Sequence, residues 1–472
     1  MGRDQARPRP SLRRGVHRFR NRARRRDGNL ERDGADVDHP RCRAHAVHQH
    51  RIRAGADRVI VRAIGLLSGG RTVVPGRVRR VDRGKVVIEK FLSADARNLR
   101  PSAIRALAKY INDPKVISFA GGSPNPETFP AERFAAIADR VLRERRNVSL
   151  QYGPTRGLPR LCEFVAARSR VKSEEVILTT GSQQALDLIS HCLLDAGDIV
   201  AVELPTYIGG TSAFYARSAT LAGVAQDDDG IVPESLDDVA RKKRIKLLYT
   251  IPNFQNPSGR LMSQRRRDRV LEIANRHDFL IVEDDPYGDL VYVEGADTTP
   301  IKSRDRDGRV LYLGTFSKIL APGVRCGWIV GPKSLIDRVE IAKQAADLCS
   351  GMLDQSIIDE YCHAGELPGQ IENVRAFYRG KRALMLSALQ EHFGGRAHWT
   401  AASGGLFTFM TLSDSIDTAS RIETAVANGV TYVPGSPFFV DGSGQNTMRL
   451  TFAKESDERL REGVQRLAHV FA

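Results

Sequence analysis

Between residues 176 and 330 the chain repeats one unit: four to six mostly apolar residues, a turn rich in Gly, Pro, Asn or acids, then a stretch with helical spacing. The apolar segments are Val176-Ile-Leu-Thr-Thr180, Asp198-Ile-Val-Ala-Val202, Lys246-Leu-Leu-Tyr-Thr-Ile251, Phe279-Leu-Ile-Val282, Val310-Leu-Tyr-Leu313 and Gly327-Trp-Ile-Val330. They do not alternate between apolar and polar residues. A strand without a polar side has to be covered on both faces, which a largely parallel sheet between helical layers provides. The pattern therefore predicts an α/β fold, with a helix over 183–194 in one covering layer. Beyond residue 343 helices dominate, and 405–410 and 448–452 read as strands, which predicts a smaller C-terminal α+β domain. Residues 102–109 have apolar positions at helical spacing behind Ser102 as N-cap.

Ligands of such sheets bind where the strands end, so the turns carry the functional reading. Gly181-Ser-Gln-Gln-Ala-Leu186 opens a helix on a glycine, leaving free N–H groups and a positive dipole end suited to a phosphate. Glu203-Leu-Pro-Thr-Tyr207 offers a ring that can stack on a flat ligand. Pro252-Asn-Phe-Gln-Asn-Pro-Ser-Gly259 presents Asn256, whose amide can donate to a phenolate. In Glu283-Asp-Asp-Pro-Tyr287 three acids crowd one strand end and need something positive to meet them. A pyridinium facing one carboxylate would do so, and Asp284 and Tyr287 are spaced to face one pocket. A metal would need further acids or histidines, and none is expected. Gly314-Thr-Phe-Ser-Lys-Ile-Leu-Ala-Pro-Gly-Val-Arg325 sets Lys318 among hydroxyls, with a second cation seven residues on. That environment lowers a lysine's pKa and makes it a Schiff-base nucleophile. Thr315, Ser317 and Arg325 suit a phosphate dianion. Each turn alone is ambiguous; their joint order is not.

Charge narrows the partners. The formal net charge is +16, but residues 1–90 hold 25 basic and 9 acidic groups, leaving 47 of the 72 basic and 47 of the 56 acidic groups for the rest. The main body is neutral, so nucleic acid is not its expected partner. No apolar run reaches the length of a bilayer span, and no signal peptide is read at the start. Six cysteines at 42, 162, 192, 326, 349 and 362 form no CxxC pair, which fits a reducing cytoplasm. The first ninety residues contain 23 arginines before the first lysine, Lys85, and no sustained helix or strand period. A basic arm and an organelle transit peptide are both readings of this stretch. An Arg-rich extension over 1–88, disordered or foreign to the native protein, is the expectation here.

Taken together, the motifs resemble fold-type I enzymes dependent on pyridoxal phosphate (PLP), in particular the class I aminotransferases that include 2-aminoadipate and kynurenine aminotransferases. The likeness runs over Ala96–Ala472 and rests on Ser102-Ala-Ile-Arg105, Phe119-Ala-Gly-Gly122, Gln151-Tyr-Gly-Pro-Thr155, Thr180-Gly-Ser-Gln-Gln-Ala-Leu-Asp-Leu188, Asn256-Pro-Ser-Gly259, Glu283-Asp-Asp285, Phe316-Ser-Lys318, Val433-Pro-Gly435 and Met448-Arg-Leu450. It implies an aspartate aminotransferase-like fold with a mostly parallel seven-stranded sheet. The implied divisions are a segment 89–125 joining the small domain, a PLP-binding domain 126–345 and a small domain 346–472. Lys318 would hold PLP and move the proton, and Asp284 would pair with the ring nitrogen. Asn256 and Tyr287 would bind the 3-oxygen, and Tyr207 would stack on the ring. Ser182, Gln183, Ser317 and Arg325 would surround the phosphate, with Tyr152 reaching the phosphate of a neighbouring subunit in a homodimer. Arg449 would grip the substrate carboxylate and Gly122 would admit the substrate, while Arg105 would meet acidic side chains. Ser123 departs from the apolar residue frequent at its position, which leaves the substrate pocket open. The expected activity is ping-pong transamination of 2-aminoadipate, aromatic or branched-chain amino acids with a 2-oxo acid such as 2-oxoglutarate. A β-lyase on the same fold and a PLP-sensing transcription regulator are the alternatives.

Overall fold

The computed structural model describes residues 88–99, 107, 110 and 113–472. Arg105, most of the helix expected over 102–109, and nearly all of the Arg-rich extension lie outside the described residues. Fourteen strands are described: β1 (Ile117–Ser118), β2 (Val176–Thr179), β3 (Ile199–Leu204), β4 (Thr220–Asp227), β5 (Gly230–Ile231), β6 (Ile245–Thr250), β7 (Leu280–Asp284), β8 (Val310–Thr315), β9 (Gly327–Val330), β10 (His398–Trp399), β11 (Phe407–Thr411), β12 (Val430–Thr431), β13 (Val433–Pro434) and β14 (Thr447–Thr451). One sheet has the order β2-β9-β8-β7-β6-β3-β4-β5. Its centre, β8-β7-β6-β3-β4, is parallel throughout, and β9 runs antiparallel to both neighbours. The expected seven strands are joined by an eighth, β5. It arises because the chain folds back at Asp229-Gly230, where Gly230 has φ 91° and Asp227 accepts the Asp229 N–H.

The apolar strand centres are buried on both sides. Ile177, Leu178, Val200, Ala201, Val202, Leu247, Leu248, Ile281, Val282, Leu311 and Leu313 are all solvent-free. Each of the larger side chains stabilises the fold by about 1.5–3 kcal/mol relative to exposure. A second, antiparallel sheet has the order β10-β11-β14-β13, and β1 pairs parallel with β12. Helices Met352–His363 and Leu367–Phe393 precede the second sheet in sequence.

One buried cation ties down the turn that follows β6. Arg267, on helix Gln264–His277, is fully buried. Its guanidinium donates to Asn253 Oδ1 (2.7 Å), Thr299 O (2.9 Å), Met262 O (3.0 Å) and Pro252 O (3.3 Å). Those acceptors fix the start of the turn that carries Asn256. Replacing Arg267 with Met keeps the bulk and orphans the acceptors, so Arg267→Met is expected to cost about 3–5 kcal/mol in denaturant unfolding. A loss below about 1 kcal/mol would mean that water replaces the guanidinium at these oxygens.

Candidate active site

The carboxyl ends of β2, β3, β6, β7 and β8 converge on a cavity of about 420 Å³, a volume typical of ligand sites. Its walls include Gly122, Ser182, Gln183, Tyr207, Asn256, Asp284, Tyr287, Ser317, Lys318, Arg325 and Arg449. Two sequence candidates are not brought there. Arg105 is outside the described residues, and Tyr152 is 78% exposed and off the cavity wall.

At one end, helix Ser182–Leu193 begins on Gly181, whose φ of 78° suits glycine and which, having no side chain, leaves the helix start uncapped. A Cβ at Gly181 would stand 2.4 Å from Arg325 Nη2, so the glycine also admits the guanidinium. Arg325 is held by the carbonyls of Thr180 and Pro322, each at 3.1 Å. The Thr315 hydroxyl lies 2.8 Å from Ser317 Oγ and accepts the Ser317 N–H at 3.1 Å. Gln183 donates to Gly209 O at 2.9 Å. Free helical N–H groups, hydroxyls and an arginine make this end a receptor for a dianion.

The three acids after β7 go to three destinations. Glu283 accepts the N–H groups of Ile301 and Lys302, both at 2.8 Å. Asp285 accepts the Gly288 N–H (2.8 Å) and the Tyr312 hydroxyl (3.1 Å). Only Asp284 reaches the cavity. Its Oδ2 accepts the Tyr249 hydroxyl at 2.8 Å, while Oδ1 is buried with no protein partner. Burial pushes its pKa up to about 7, opposed by the Tyr249 hydrogen bond and reinforced by Asp285 and Glu203.

Across the cavity, Lys318 donates to Gly122 O at 3.0 Å. Burial, then the charges of Arg449 and Arg325, lower its pKa to about 8, against the pull of Asp284. Arg449, on β14, is buried and donates to Asn256 Oδ1 (2.9 Å) and Ala120 O (2.8 Å). Its guanidinium carbon lies 4.3 Å from the ring centre of Phe407 and 5.4 Å from that of Phe438. With no carboxylate against it among the described residues, burial lowers its pKa to about 10. Asn256 also hydrogen-bonds Tyr287, whose pKa burial raises.

Behind the wall, the buried Glu203 accepts from Thr250 Oγ1 (2.6 Å), Gln255 Nε2 (3.0 Å) and Ile251 N (3.2 Å), fixing the turn on both sides of Pro252. Sequence reasoning missed Tyr249, Phe407 and Phe438 as parts of this site. All three are apolar-looking residues in or beside buried strands, and nothing in their spacing distinguishes them from core.

Asp284 Oδ1, Ser182 Oγ and Arg449 Nε are buried polar atoms without protein partners, and all belong to residues of this one cavity wall. Buried polar groups are normally satisfied, and a polar ligand in this cavity could satisfy these three. PLP fits: its phosphate matches the helix end with Ser317 and Arg325, its ring nitrogen matches Asp284, and its aldehyde needs an amine such as that of Lys318. Among the described residues no group of three or more His, Cys, Asp or Glu could hold a metal ion.

This sheet order, with a lysine, a carboxylate and a dianion receptor at the strand ends, defines a PLP enzyme of the aspartate aminotransferase-like fold. The chain belongs to the aminotransferase class I and II family, whose model matches residues 114–467. It is 44% identical over 391 residues to aromatic-amino-acid aminotransferase 1 of Thermococcus litoralis, covering 80% of this chain and 94% of that protein. It is 39% identical over 374 residues to the 2-aminoadipate transaminase of Thermus thermophilus, covering 79% of this chain and 94% of that protein. Among solved structures, Pyrococcus horikoshii kynurenine aminotransferase, in complex with pyridoxamine phosphate (PMP), matches with a TM-score of 0.78 and 41% identity over 81% of this chain and 97% of that one. The protein is a PLP-dependent aminotransferase.

The lowered pKa of Lys318 is directly measurable. In cofactor-free protein, acetylation of Lys318 by acetic anhydride, followed by peptide mass, should rise with pH to a midpoint near 8. The sign follows from the neutral amine being the nucleophile: below the midpoint it is protonated and inert. A midpoint at the ordinary lysine value of about 10.4 would place the amine in water.

Proposed function

We propose that this aminotransferase draws its nitrogen from 2-aminoadipate, an aromatic or a branched-chain L-amino acid. It passes that nitrogen to a 2-oxo acid such as 2-oxoglutarate, in two half-reactions at one site. The observation that carries the reading is a lysine amine and a partnerless carboxylate oxygen on the walls of one cavity, beside an arginine that no carboxylate meets. The two named relatives support the donor classes: one is an aromatic-amino-acid and the other a 2-aminoadipate aminotransferase. Phe407, Leu186 and Ile251 on the cavity wall give an apolar side chain surfaces to pack against.

The cofactor, when bound, supplies an electron sink for the bond that breaks at the substrate's α-carbon. Asp284 keeps the proton on the ring nitrogen through its free oxygen. Lys318 would hold the cofactor's aldehyde until the substrate's amine displaces it, and the freed lysine amine, in its unprotonated form, would take the proton from the α-carbon and deliver it to the carbon that had been the aldehyde. Asn256 and Tyr287 orient the 3-oxygen, Tyr207 covers the ring face, and Ser182, Gln183, Ser317 and Arg325 hold the phosphate. Arg449 receives the α-carboxylate in a fork already oriented by Asn256 and Ala120. At Gly122 a Cβ would stand 3.2 Å from Phe407 Cζ, so a side chain there would crowd the substrate's approach.

Tyr152, exposed in the single chain, would reach the phosphate of a second copy, making a homodimer with shared sites. We read residues 126–345 as the cofactor-binding domain and 346–472 as the small domain. The pairing of β1 with β12 supports joining residues 89–125 to the latter. We place the protein in the cytoplasm. Its five described cysteines are unpaired, and no helix among the described residues is long and apolar enough to cross a membrane.

Two variants test this reading. Lys318→Ala should retain the fold and abolish turnover, because among the described residues no other amine stands on the cavity wall; measurable transamination by that variant would end the assignment of Lys318. Arg105→Ala should lower kcat/KM for 2-aminoadipate about ten- to a hundredfold, the worth of a charge-assisted hydrogen bond, with little change for leucine. Equal losses for both donors would make Arg105 structural.

A further inference from the structure

Tyr249 is solvent-free at the centre of the large sheet, and its hydroxyl donates to Asp284 Oδ2 at 2.8 Å. Its position follows from the parallel register. Tyr249 on β6 stands beside Val282 on β7, and Val282 shares a sheet face with Asp284 two residues on. A phenol is long enough to span that diagonal. Two neighbours on helix Ile208–Tyr215 fix the ring. Phe214 meets it edge-on at 5.4 Å, and a Cβ on Gly210 would come within 2.6 Å of Tyr249 Cε1. Gly210 therefore provides the room in which the phenol can point at the carboxylate.

We infer that Tyr249 is a positioning residue for the transamination: it orients the Asp284 carboxylate so that the unpartnered oxygen faces the ring nitrogen, and it keeps that carboxylate ionised. The inference rests on reading Asp284 as the partner of the ring nitrogen. A carboxylate with both oxygens unheld could rotate, and could take the ring's proton instead of leaving it on the nitrogen. Tyr249 prevents both. One oxygen is fixed by a donor, and the donor favours the anion over the acid. The groups around Asp284 make this contribution necessary. Asp285 and Glu203 both press it toward the protonated form, and Lys318 is the countervailing cation. The phenols of Tyr207 and Tyr287 stand nearby, and burial holds Tyr249 itself well above its ordinary pKa, so it donates and does not ionise.

The test uses the full-chain holoenzyme with Tyr249→Phe, which keeps the ring's packing against Phe214 and removes one hydroxyl. A ring nitrogen that holds its proton less firmly withdraws fewer electrons, so groups conjugated to the ring become more basic. The pH midpoint of the bound cofactor's visible absorbance should therefore rise by about 0.5–1 pH unit. In parallel, kcat should fall about tenfold while KM stays within about twofold. In the Asp284→Asn background the same substitution should move the midpoint no further, since the two groups act as one. An unmoved midpoint in Tyr249→Phe overturns the inference, as does a shift that persists undiminished in the Asp284→Asn background. If Asp284→Asn itself leaves midpoint and turnover unchanged, both the inference and the underlying reading of Asp284 fail. If only Tyr249→Phe is silent, the inference fails alone.

Discussion

An ionised carboxylate buried at the end of a parallel strand is costly unless donors or a cation meet it, and much of the active-site architecture follows from where such charges sit. Asp284, Glu203 and Glu283 are buried, and Asp285 is half-buried, at the carboxyl edge of the large sheet. Three of them are each given two or three protein donors. Those three are structural: Glu203 holds the turn after β6, Glu283 the segment from residue 301, and Asp285 the turn through Gly288. Asp284 receives one donor and keeps one oxygen for the cavity. The same type of group thus serves as scaffold or as binding surface according to how many of its lone pairs the protein fills.

The cations obey the mirror rule. Arg267 donates to four neutral acceptors and acts as a tether. Lys318 and Arg449 face the cavity with few partners, and each lowers the proton affinity of the lysine amine or is itself lowered by burial. The site therefore joins a carboxylate whose ionised form is supported by the Tyr249 hydroxyl to an amine inclined to lose its proton, on the walls of one cavity. That is the condition under which one cavity can stabilise a protonated ring and still move protons near neutral pH.

Much of the fold was legible because the strands are apolar on both faces, and only a covered, mainly parallel sheet accommodates such segments. Strand ends were less legible. The reading stopped β7 at Val282 and β8 at Leu313, the last apolar residues, whereas the ladder continues through Asp284 and Thr315. Apolar patterning reports burial of carbon, while strand continuation depends on backbone pairing that polar residues sustain equally well. β4 escaped for the opposite reason: it lies next to the short edge strand β5, is half-exposed, and contains Ala222 and Gly223, which carry little strand signal. The turns drew attention to Asp284, Asn256 and Lys318 because polar residues stood out against apolar strands. Tyr249 and Phe407 stood out against nothing. Arg449 came to notice only through family resemblance, since one arginine in a short strand has no local pattern.

The caging of Arg449 has a thermodynamic meaning beyond geometry. Phe407 and Phe438 flank the guanidinium and only neutral oxygens touch it. Most of its desolvation therefore accompanied folding, so that share of the cost is charged to the stability of the protein and not to the affinity for its ligand. A carboxylate brought to Arg449 would meet a cation already oriented and largely desolvated. An alcohol or an amine of the same shape finds no such advantage. Discrimination in favour of acids is in this sense stored in the native state, and a variant that relaxed the cage to gain stability would be expected to surrender some of it.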